Sequence, residues 1–362
     1  MSGKVAASAA RAQAPGQAAH VDVLIVGAGI SGVGAAWHLK HQRPEKSFVV
    51  LEAKETFGGT WVTHTYPGVR SDSDLYTFGY RFKPWVGPPI ASAGEILTYM
   101  GEVIADGGLD AHIRYGHRIE SAAWSTADKA WTVRARTSDG VEHVFTASFL
   151  WMCQGYYRHD AGYLPDWPGL ETYEGRLIHA QVWPDDLDLS GKRVLVIGSG
   201  ATAATVVPAI AGACANVTLL QRSPTYFVAG RNDNELANLL RKLQIDETWI
   251  HEIVRRKVLF DQAEMMRRCR EEPETATAQL LAGVAAMLPP GYDVATHFTP
   301  NYRPWRQRIA FVPNGDLFQG IASGRAGVVT GHIERVTPKG VLLKSGETLE
   351  ADVIIAATGF NL

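Results

Sequence analysis

The sequence predicts an α/β protein made of two similar units in a row, with a helical insertion in the second unit. Two observations support this prediction. An apolar strand, a glycine-rich turn, a helix and a second strand follow one another at residues 21–52, and the same order returns at residues 193–222. In both units a hairpin and a further apolar strand come later in the chain. Because a whole order of elements is duplicated, we expect two homologous units.

The strands that open and close each unit are continuous apolar runs, a pattern typical of parallel strands buried on both faces. These runs cover residues 21–26, 148–152, 193–197 and 353–357. The hairpins are predicted from alternating apolar and polar residues around a Ser-Asp-Gly turn at 138–140 and a Ser-Gly turn at 345–346. Each unit is thus expected to contain parallel strands and one hairpin.

Two stretches fall outside this plan. Residues 1–20 are rich in alanine and lack the apolar segment of a secretory signal, so we expect a disordered tail and an ordered chain from Val21. Between Asn234 and about Pro289, apolar residues recur at intervals of three and four among many arginines and glutamates. This period predicts helices, which we interpret as an insertion with a solvated, charged face.

The first glycine turn, residues 27–32, has the spacing of a dinucleotide-binding loop. Gly27, Gly29 and Gly32 come directly after a strand and open a helix that includes Ser31. In such loops the first glycine permits a tight turn, the second lets the backbone approach a pyrophosphate, and the third allows close packing. Glu52 ends the next strand, 25 residues after Gly27, where a carboxylate accepts hydrogen bonds from ribose hydroxyls.

The second glycine turn is similar but is followed by a different strand end. Its residues are Gly198, Ser199, Gly200, Ala201, Thr202 and Ala203, with alanine at the third glycine position, as this loop allows. The next strand ends at Arg222, 24 residues after Gly198, with no acid beside it. Because a guanidinium can bind a 2′-phosphate that a carboxylate would repel, the second unit is predicted to take NADPH. Ser223 can add a hydroxyl to the same phosphate; a solvated loop charge is the alternative interpretation of Arg222.

The strands that follow the two turns end in residues of opposite charge, which implies two different dinucleotides. FAD with NADPH is the simplest pair that fits. The predicted fold class is therefore α/β, with two Rossmann-like dinucleotide-binding domains, for FAD and NADPH, and a helical insertion. A flavin disulfide reductase would need a close cysteine pair, whereas Cys153, Cys214 and Cys269 are widely spaced. Reduced flavin then needs another acceptor, for which molecular oxygen is the obvious candidate.

Composition narrows the partners and the location. The wide cysteine spacing argues against a disulfide framework or a zinc site, and it fits a reducing cytoplasm. A net charge of −2 gives no reason to expect nucleic acid as a partner. The sequence has no run of about 18 apolar residues, so no membrane-spanning helix is expected, while peripheral membrane association stays open.

The segment between the units carries a motif that resembles a known family. Residues 173–184 read Tyr-Glu-Gly-Arg-Leu-Ile-His-Ala-Gln-Val-Trp-Pro, close to the fingerprint FxGxxxHxxxWP of type I Baeyer–Villiger monooxygenases. Gly175, His179, Trp183 and Pro184 match, and tyrosine replaces the first phenylalanine. With both glycine turns in order, the chain is similar to that family, a group of FAD- and NADPH-dependent oxidoreductases. We interpret the histidine and tryptophan as packing and hinge elements.

Two further segments resemble the subgroup of this family that activates the thioamide prodrug ethionamide. They are residues 58–61 followed by 66–76, which in this family face the flavin, and residues 297–308. By this resemblance Arg308 stabilises an anion at the flavin, and Asp72 contacts that arginine. We also expect the following residues to bind a cofactor: Gly59, Thr60, Trp61, Arg70, Ser71, Asp72 and Ile119. His297 is interpreted as structural, and a turn role is the alternative for Asp72 and Asp74.

The resemblance implies a monooxygenase that converts a small ketone to an ester or lactone and can also oxidise a thio-substrate. NADPH reduces FAD, reduced flavin adds oxygen to give a C4a-peroxyflavin, and the peroxide attacks the carbonyl carbon. A fixed guanidinium stabilises such an anion in a dry site. Two alternatives stay open: a flavin monooxygenase that oxidises amines or sulfides, and a flavoprotein fragment that is catalytically incomplete.

The predicted organisation has five parts. They are a disordered tail at 1–20, the first part of an FAD-binding domain at 21–156, a linker with the fingerprint at 157–190, an NADPH-binding domain at 191–233 and 303–362, and a helical insertion at 234–302. In this family the chain then returns to complete the FAD domain. The sequence ends at Leu362, directly after the last strand of the NADPH domain. We therefore expect the FAD domain to lack its returning half.

Overall fold

The computed structural model describes residues 19–362, so the tail expected at 1–20 falls outside the described residues except for its last two positions, which belong to a strand. The chain divides into two compact units. The first takes in the chain up to Thr63 together with Gly94–Tyr156, and the second takes in His64–Ala93 and Tyr157–Leu362. Segment 64–93 therefore clusters with the second unit, although it lies between two parts of the first.

The first unit is built on one six-stranded sheet in the order β3-β2-β1-β6-β5-β4. Its strands are β1 (Ala19–Val26), β2 (Phe48–Leu51), β3 (Ile113–Arg114), β4 (Arg118–Ser125), β5 (Ala130–Arg136) and β6 (Glu142–Met152). Its helices are α1 (Ile30–Gln42), α2 (Thr60–Thr63) and α4 (Ala93–Asp106). Strands β3, β2, β1 and β6 run parallel, and β6, β5 and β4 form an antiparallel meander that contains the predicted hairpin.

The second strand of the hairpin and the apolar run after it form one strand. β6 pairs with β5 through residues 142–147 and with β1 through residues 145–152. The prediction that residues 148–152 are buried is wrong, because Phe149 and Met152 are each 56% exposed. An apolar strand is buried only where another layer packs on it; here Phe149 meets Trp151 edge to face, with ring centroids 6.4 Å apart.

The second unit is built on a fully parallel five-stranded sheet in the order β12-β9-β8-β16-β7. These strands are β7 (Arg176–His179), β8 (Arg193–Ile197), β9 (Asn216–Gln221), β12 (Ala326–Thr330) and β16 (Val353–Ala356). A parallel pair, β10 (Phe227–Gly230) and β11 (Ala310–Pro313), and an antiparallel sheet, β13 (Ile333–Thr337), β14 (Gly340–Leu343) and β15 (Thr348–Glu350), complete the strands. The fingerprint segment thus contributes an edge strand, and the predicted hairpin is β14–β15.

Seven α-helices are described in the second unit. They are α3 (Leu75–Phe78), α5 (Ala201–Ile210), α6 (Glu235–Lys242), α7 (Glu247–Glu271), α8 (Pro273–Ala285), α9 (Val294–Phe298) and α10 (Asp316–Ala322). The helical period of the insertion is confirmed by α6, α7 and α8. Side chains of Asn234 and Asp246 cap the first two by accepting backbone hydrogen bonds, and a proline begins the third.

Helix α7 holds part of segment 64–93. Arg255 donates hydrogen bonds to the carbonyl groups of Tyr76 and Thr77, at the end of α3. His251 is buried, accepts a hydrogen bond from the backbone N–H of Trp85 at 3.2 Å and contacts the carbonyl of Tyr80 at 3.2 Å. The insertion is therefore a support for this segment. None of the helices within residues 19–362 has the length and apolarity needed to cross a membrane.

Candidate cofactor-binding and active site

A buried carboxylate holds the first glycine turn. Glu52 is 7% exposed, and its two oxygens accept hydrogen bonds from the backbone N–H groups of Ala28 at 2.7 Å and Lys54 at 2.9 Å. The residue that the sequence assigns to a ribose therefore also ties the turn to the end of β2. Each carboxylate oxygen accepts more than one hydrogen bond, so these contacts leave acceptor capacity for ribose hydroxyls.

The glycines of the first turn are required by close approaches of the backbone. Gly27 has a φ of +93°, and a Cβ on Gly32 would lie 1.8 Å from the carbonyl oxygen of Gly27. A Cβ on Gly59 would lie 3.1 Å from the Cα of Gly29, because residues 58–61 pack directly against the turn. The result is a bare backbone surface at the N-terminus of α1, which fits the pyrophosphate of FAD.

The other expected cofactor residues of the first unit lie in different surroundings. Ser31 is exposed in the first turn of α1, and Thr60 and Trp61 begin α2 next to the glycines. Ile119 lies on the edge strand β4 and packs against the apolar core that β1, β2, β5 and β6 form. The structure thus brings the first three close to the turn, whereas the isoleucine belongs to the core of the unit.

The second glycine turn leaves open space in front of a helix. Gly198 has a φ of +148°, and a Cβ there would lie 2.3 Å from the carbonyl oxygen of Ala357. A Cβ on Gly200 would meet no described atom within 4 Å. Ala203, at the third glycine position, is fully buried in the core. Because Gly200 provides no side-chain cap, the first N–H groups of α5 can bind a second pyrophosphate.

Hydroxyl groups of the second turn contact neighbouring elements. The Thr225 hydroxyl donates to the hydroxyl of Ser199 at 3.3 Å. Burial raises the pKa of Tyr66, and a side-chain hydrogen bond with Thr202 acts in the opposite direction. A Cβ on Gly68, which has a φ of +76°, would lie 2.9 Å from the Cβ of Ala209. Segment 64–93 therefore rests on α5, the helix that the second turn opens.

The strand after the second turn ends as the sequence predicts. Arg222 and Ser223 follow β9 and are exposed. Arg222 makes no ion pair with any residue in the described part of the chain, so its guanidinium is free to bind an anion. This geometry fits a cofactor that carries a 2′-phosphate.

The two residues expected at the reaction centre lie together in the second unit. Arg308 Nη2 is 3.2 Å from Asp72 Oδ1, and it donates hydrogen bonds to the Asp72 carbonyl at 2.8 Å and to the Ser73 hydroxyl at 2.9 Å. Asp74 has a different role: it caps α3 by accepting from the backbone N–H of Thr77 at 3.0 Å, and burial raises its pKa. The turn interpretation therefore suits Asp74, while Asp72 holds the arginine.

Arg70 and Ser71 use their polar groups inside the unit. Arg70 forms a bidentate ion pair with Asp316, with N–O distances of 2.5 and 3.2 Å and side chains 19% and 32% exposed. Ser71 is 4% exposed and its hydroxyl accepts from the backbone N–H of Ala91 at 3.1 Å. These contacts fix the backbone just before Asp72. Sequence reasoning missed Asp316, because an acid at the start of a helix is an ordinary local signal.

The first half of the fingerprint is a packing motif. A Cβ on Gly175 would lie 2.4 Å from the ring of Tyr173, whose hydroxyl donates to the carbonyl of Ala351 at 3.0 Å. Burial raises the pKa of Tyr173 to about 12, so the phenol stays protonated. The tyrosine that replaces phenylalanine thus gains a hydrogen bond that anchors the segment to the connection between β15 and β16.

The second half of the fingerprint is also packed. His179 ends β7, its Nδ1 accepts from the backbone N–H of Gln181 at 3.1 Å, and burial lowers its pKa. A Cβ on Gly162 would lie 2.0 Å from that imidazole ring, so the ring lies flat against the backbone. Trp183 packs on the core of the unit, and the Pro184 carbonyl accepts from the N–H of Leu187 at 3.3 Å. These contacts favour the packing interpretation of His179 and Trp183.

Two glycine turns of this kind in one chain define a protein that binds two dinucleotides, as flavoprotein oxidoreductases with a nicotinamide cofactor do. Family models agree: one for NAD(P)-binding Rossmann-like domains matches residues 25–84, and one for flavin-binding monooxygenase-like proteins matches residues 92–253. The chain is 49% identical over 345 residues to the FAD-containing monooxygenase EthA of Mycobacterium tuberculosis. The aligned residues make up 95% of this chain and 70% of that relative. EthA of Mycolicibacterium smegmatis is 45% identical with the same coverage. The chain therefore belongs to the family of FAD-containing monooxygenases.

Solved structures show the same fold. An oxidised steroid monooxygenase bound to NADP is 26% identical, with a TM-score of 0.74 over 94% of this chain and 71% of that chain. A cyclohexanone monooxygenase bound to ε-caprolactone is 25% identical, with a TM-score of 0.74 over 94% of this chain and 74% of that chain. The predicted α/β fold with two dinucleotide-binding domains is confirmed, as is flavin monooxygenase ancestry, and the family of FAD-containing monooxygenases together with the NAD(P)-binding family model agrees with the predicted cofactors.

The close approach of Gly32 to the first turn predicts that a side chain at position 32 destabilises the protein. We expect Gly32→Ala to lower the free energy of unfolding by about 1–3 kcal/mol, because its Cβ would overlap the Gly27 carbonyl oxygen. Flavin content should fall in parallel. The control is Gly94→Ala, whose Cβ would meet no described atom within 4 Å. Urea unfolding and the flavin absorbance of both variants provide the test, and equal stability would contradict the steric argument.

The Arg70–Asp316 pair should contribute measurably to stability. Asp316→Asn removes the charge, and we expect it to lower the free energy of unfolding by about 1 kcal/mol with little dependence on salt, because the pair is mostly shielded from solvent. Asp160→Asn is the control, since its pair with Arg158 has side chains 61% and 62% exposed. If both substitutions cost the same in urea titrations, burial of the Arg70 pair has no energetic consequence.

Proposed function

We propose that the chain carries the cofactor-binding and cationic parts of an FAD- and NADPH-dependent Baeyer–Villiger monooxygenase. Such an enzyme uses molecular oxygen to convert a small ketone to an ester or lactone. The observation that carries this proposal is the Arg308–Asp72 pair, a cation held in the unit that contains the second glycine turn. Solved relatives named for cyclohexanone and ε-caprolactone, a ketone and its lactone, support the same reaction.

FAD is assigned to the first turn and NADPH to the second. Helix α1 and the bare glycine surface would hold the flavin pyrophosphate, with Glu52 for ribose hydroxyls. Helix α5 would hold the second pyrophosphate, with Arg222 and Ser223 for the 2′-phosphate. When bound, flavin transfers electrons from NADPH to oxygen, chemistry that amino-acid side chains do not supply.

Arg308 supplies a fixed positive charge. Oxygen insertion next to a carbonyl needs an anionic nucleophile, and a guanidinium remains protonated at any physiological pH. Three contacts with Asp72 and Ser73 orient this guanidinium before any substrate arrives. Because preoriented charge stabilises a developing anion without reorganisation, Arg308 is the proposed catalytic residue and Asp72 its partner.

The proposal includes a second substrate class and a cellular location. The enzyme would also oxidise a thio-substrate, and the small number and wide spacing of the cysteines support a cytoplasmic location. Purified protein should show flavin absorbance, consume NADPH and yield an ester from a ketone. Sulfoxide or N-oxide without ester would favour the amine and sulfide monooxygenase, and flavin-free protein would favour an incomplete fragment.

Arg222 should set the choice between NADPH and NADH. We expect Arg222→Ala to weaken NADPH use by at least about tenfold while leaving NADH use nearly unchanged, because the guanidinium pairs with the 2′-phosphate. Steady-state rates with both cofactors measure this. Arg325→Ala is the control, since Arg325 is exposed at the opposite, amino-terminal end of β12. An unchanged cofactor ratio in Arg222→Ala would refute the assignment.

Arg308 should be required for ester formation. In Arg308→Ala we expect NADPH oxidation to continue while ester yield drops below detection and peroxide accumulates, because the anion loses its cation. Arg306→Ala, an exposed arginine two residues away, should keep wild-type yield. The measurements are a product analysis with a ketone as substrate and an assay for peroxide. A normal ester yield in Arg308→Ala would refute the catalytic role.

A further inference from the structure

Hydrogen bonds to the glycine turns align the two units residue by residue. The N–H of Gly27 donates to the Leu51 carbonyl at 2.8 Å, and the N–H of Gly198 donates to the Leu220 carbonyl at 2.9 Å. The next residue in the first unit is Glu52, and in the second unit it is Gln221. Gln221 therefore takes the place of the acid, and Arg222 stands one position beyond it. A neutral amide at this place removes the charge that would repel a phosphate.

The Gln221 amide is oriented by two acceptors. Its Nε2 donates to the backbone carbonyl of His297 at 2.7 Å and to the hydroxyl oxygen of Thr330 at 2.9 Å. A carbonyl oxygen only accepts, so the amide nitrogen must face it. Gln221 is 1% exposed, and its Oε1 is buried without a hydrogen-bond partner in the described chain. The amide NH₂ group therefore donates to these two acceptors, although the amide oxygen forms no hydrogen bond with the described chain.

This orientation determines the tautomer of His297. Its Nδ1 lies 2.9 Å from the Thr330 hydroxyl. Among the described residues the hydroxyl proton of Thr330 has no acceptor other than Nδ1, so donation to Nδ1 satisfies it, and Nδ1 is then the unprotonated ring nitrogen. Burial lowers the pKa of His297, opposed by Asp293, so the neutral ring is favoured. The proton therefore sits on Nε2, which has no hydrogen-bond partner among the described residues.

The three residues lie where the second unit would hold the adenosine of its dinucleotide. Gln221 and Thr330 pair at the carboxyl ends of the parallel strands β9 and β12, and α9 carries His297 against them. Ligands of open parallel sheets bind at the carboxyl ends of the strands. Arg222 and Ser223, the proposed 2′-phosphate ligands, follow Gln221 directly in the chain.

We propose that His297 is a further specificity-determining residue, whose Nε2–H donates a hydrogen bond to the 2′-phosphate of NADPH. Gln221 and Thr330 are positioning residues that fix the tautomer. This inference rests on the proposed function, because it assumes NADPH at the second turn. Anchoring of α9 does not need the ring, since Gln221 already holds the His297 backbone carbonyl.

Equilibrium binding of NADP⁺ and NAD⁺ to the flavin-loaded protein, measured by calorimetry, tests the inference without turnover. We expect His297→Ala to raise the Kd for NADP⁺ about tenfold, equivalent to about 1.4 kcal/mol, with the Kd for NAD⁺ within about twofold of wild type. Equal weakening of both cofactors, or no change in either, would overturn the phosphate contact.

Two variants of Thr330 form a matched pair. They test the inference even if His297→Ala does not fold. Thr330→Val keeps the shape but loses the hydroxyl, and Thr330→Ser keeps the hydroxyl but loses a methyl group. If the hydroxyl sets the tautomer, the valine variant binds NADP⁺ about threefold more weakly and the serine variant binds it like wild type. A packing role for Thr330 predicts the reverse order, which would overturn the positioning role.

Wild type and Arg222→Ala separate this inference from the proposed function. If wild type fails to prefer NADP⁺ over NAD⁺, the cofactor assignment fails and the inference fails with it. If wild type prefers NADP⁺ and Arg222→Ala loses that preference while His297→Ala keeps it, the proposed function stands and the His297 contact alone is wrong.

Discussion

The structure depends on one steric constraint, which both units meet with glycine. Where a parallel strand turns into its helix, a backbone carbonyl occupies the space of a side chain. A Cβ on Gly32 would lie 1.8 Å from the Gly27 carbonyl oxygen, and a Cβ on Gly198 would lie 2.3 Å from the Ala357 carbonyl oxygen. This close approach sets each helix N-terminus at the carboxyl end of its sheet, where unpaired N–H groups favour an anion. The cofactor sites follow from that placement.

Glycine explains why both units bind a dinucleotide, and the following strand end explains why the dinucleotides differ. In the first unit Glu52 is buried and braces the turn through Ala28. In the second unit the equivalent Gln221 is turned toward Thr330 on β12, and an exposed Arg222 follows it. A carboxylate beside a ribose excludes a phosphate there, whereas an amide next to a guanidinium accepts one. Changes of charge at two neighbouring positions, Glu52 against Gln221 and Ala53 against Arg222, thus separate two related sites.

The fold could be predicted from the sequence because its signals are local. Apolar runs located β1, β8 and β16 to within two residues, and the duplicated order identified both units. The exposure of Phe149 could not be predicted, since burial depends on what packs on a strand. The equivalence of Glu52 and Gln221 was hidden as well. Helix α1 has 13 residues and α5 has 10, so counting from the first glycine does not align the two strand ends.

The contacts of the candidate site were less predictable, because they join residues far apart in the chain. Sequence patterns indicated Asp72 and Arg308 only through resemblance, and the Arg70–Asp316 pair spans 246 positions. No periodicity marks such pairs, since each partner looks like an ordinary loop or helix-start charge. The contacts become visible once segment 64–93 is placed in the second unit.

That placement has a mechanistic consequence. Tyr66 contacts Thr202 in the second glycine turn, Gly68 packs on α5, and Arg70 is paired with Asp316 at the start of α10. These contacts lie every second residue along the approach to Asp72, so they leave its backbone little freedom. The position of Arg308 is therefore defined relative to the second glycine turn through α5 and α10. A substitution on either helix that shifts segment 64–93 would displace the proposed catalytic cation without touching it, so the contacts of α5 and α10 bear on the proposed reaction as much as the arginine itself does.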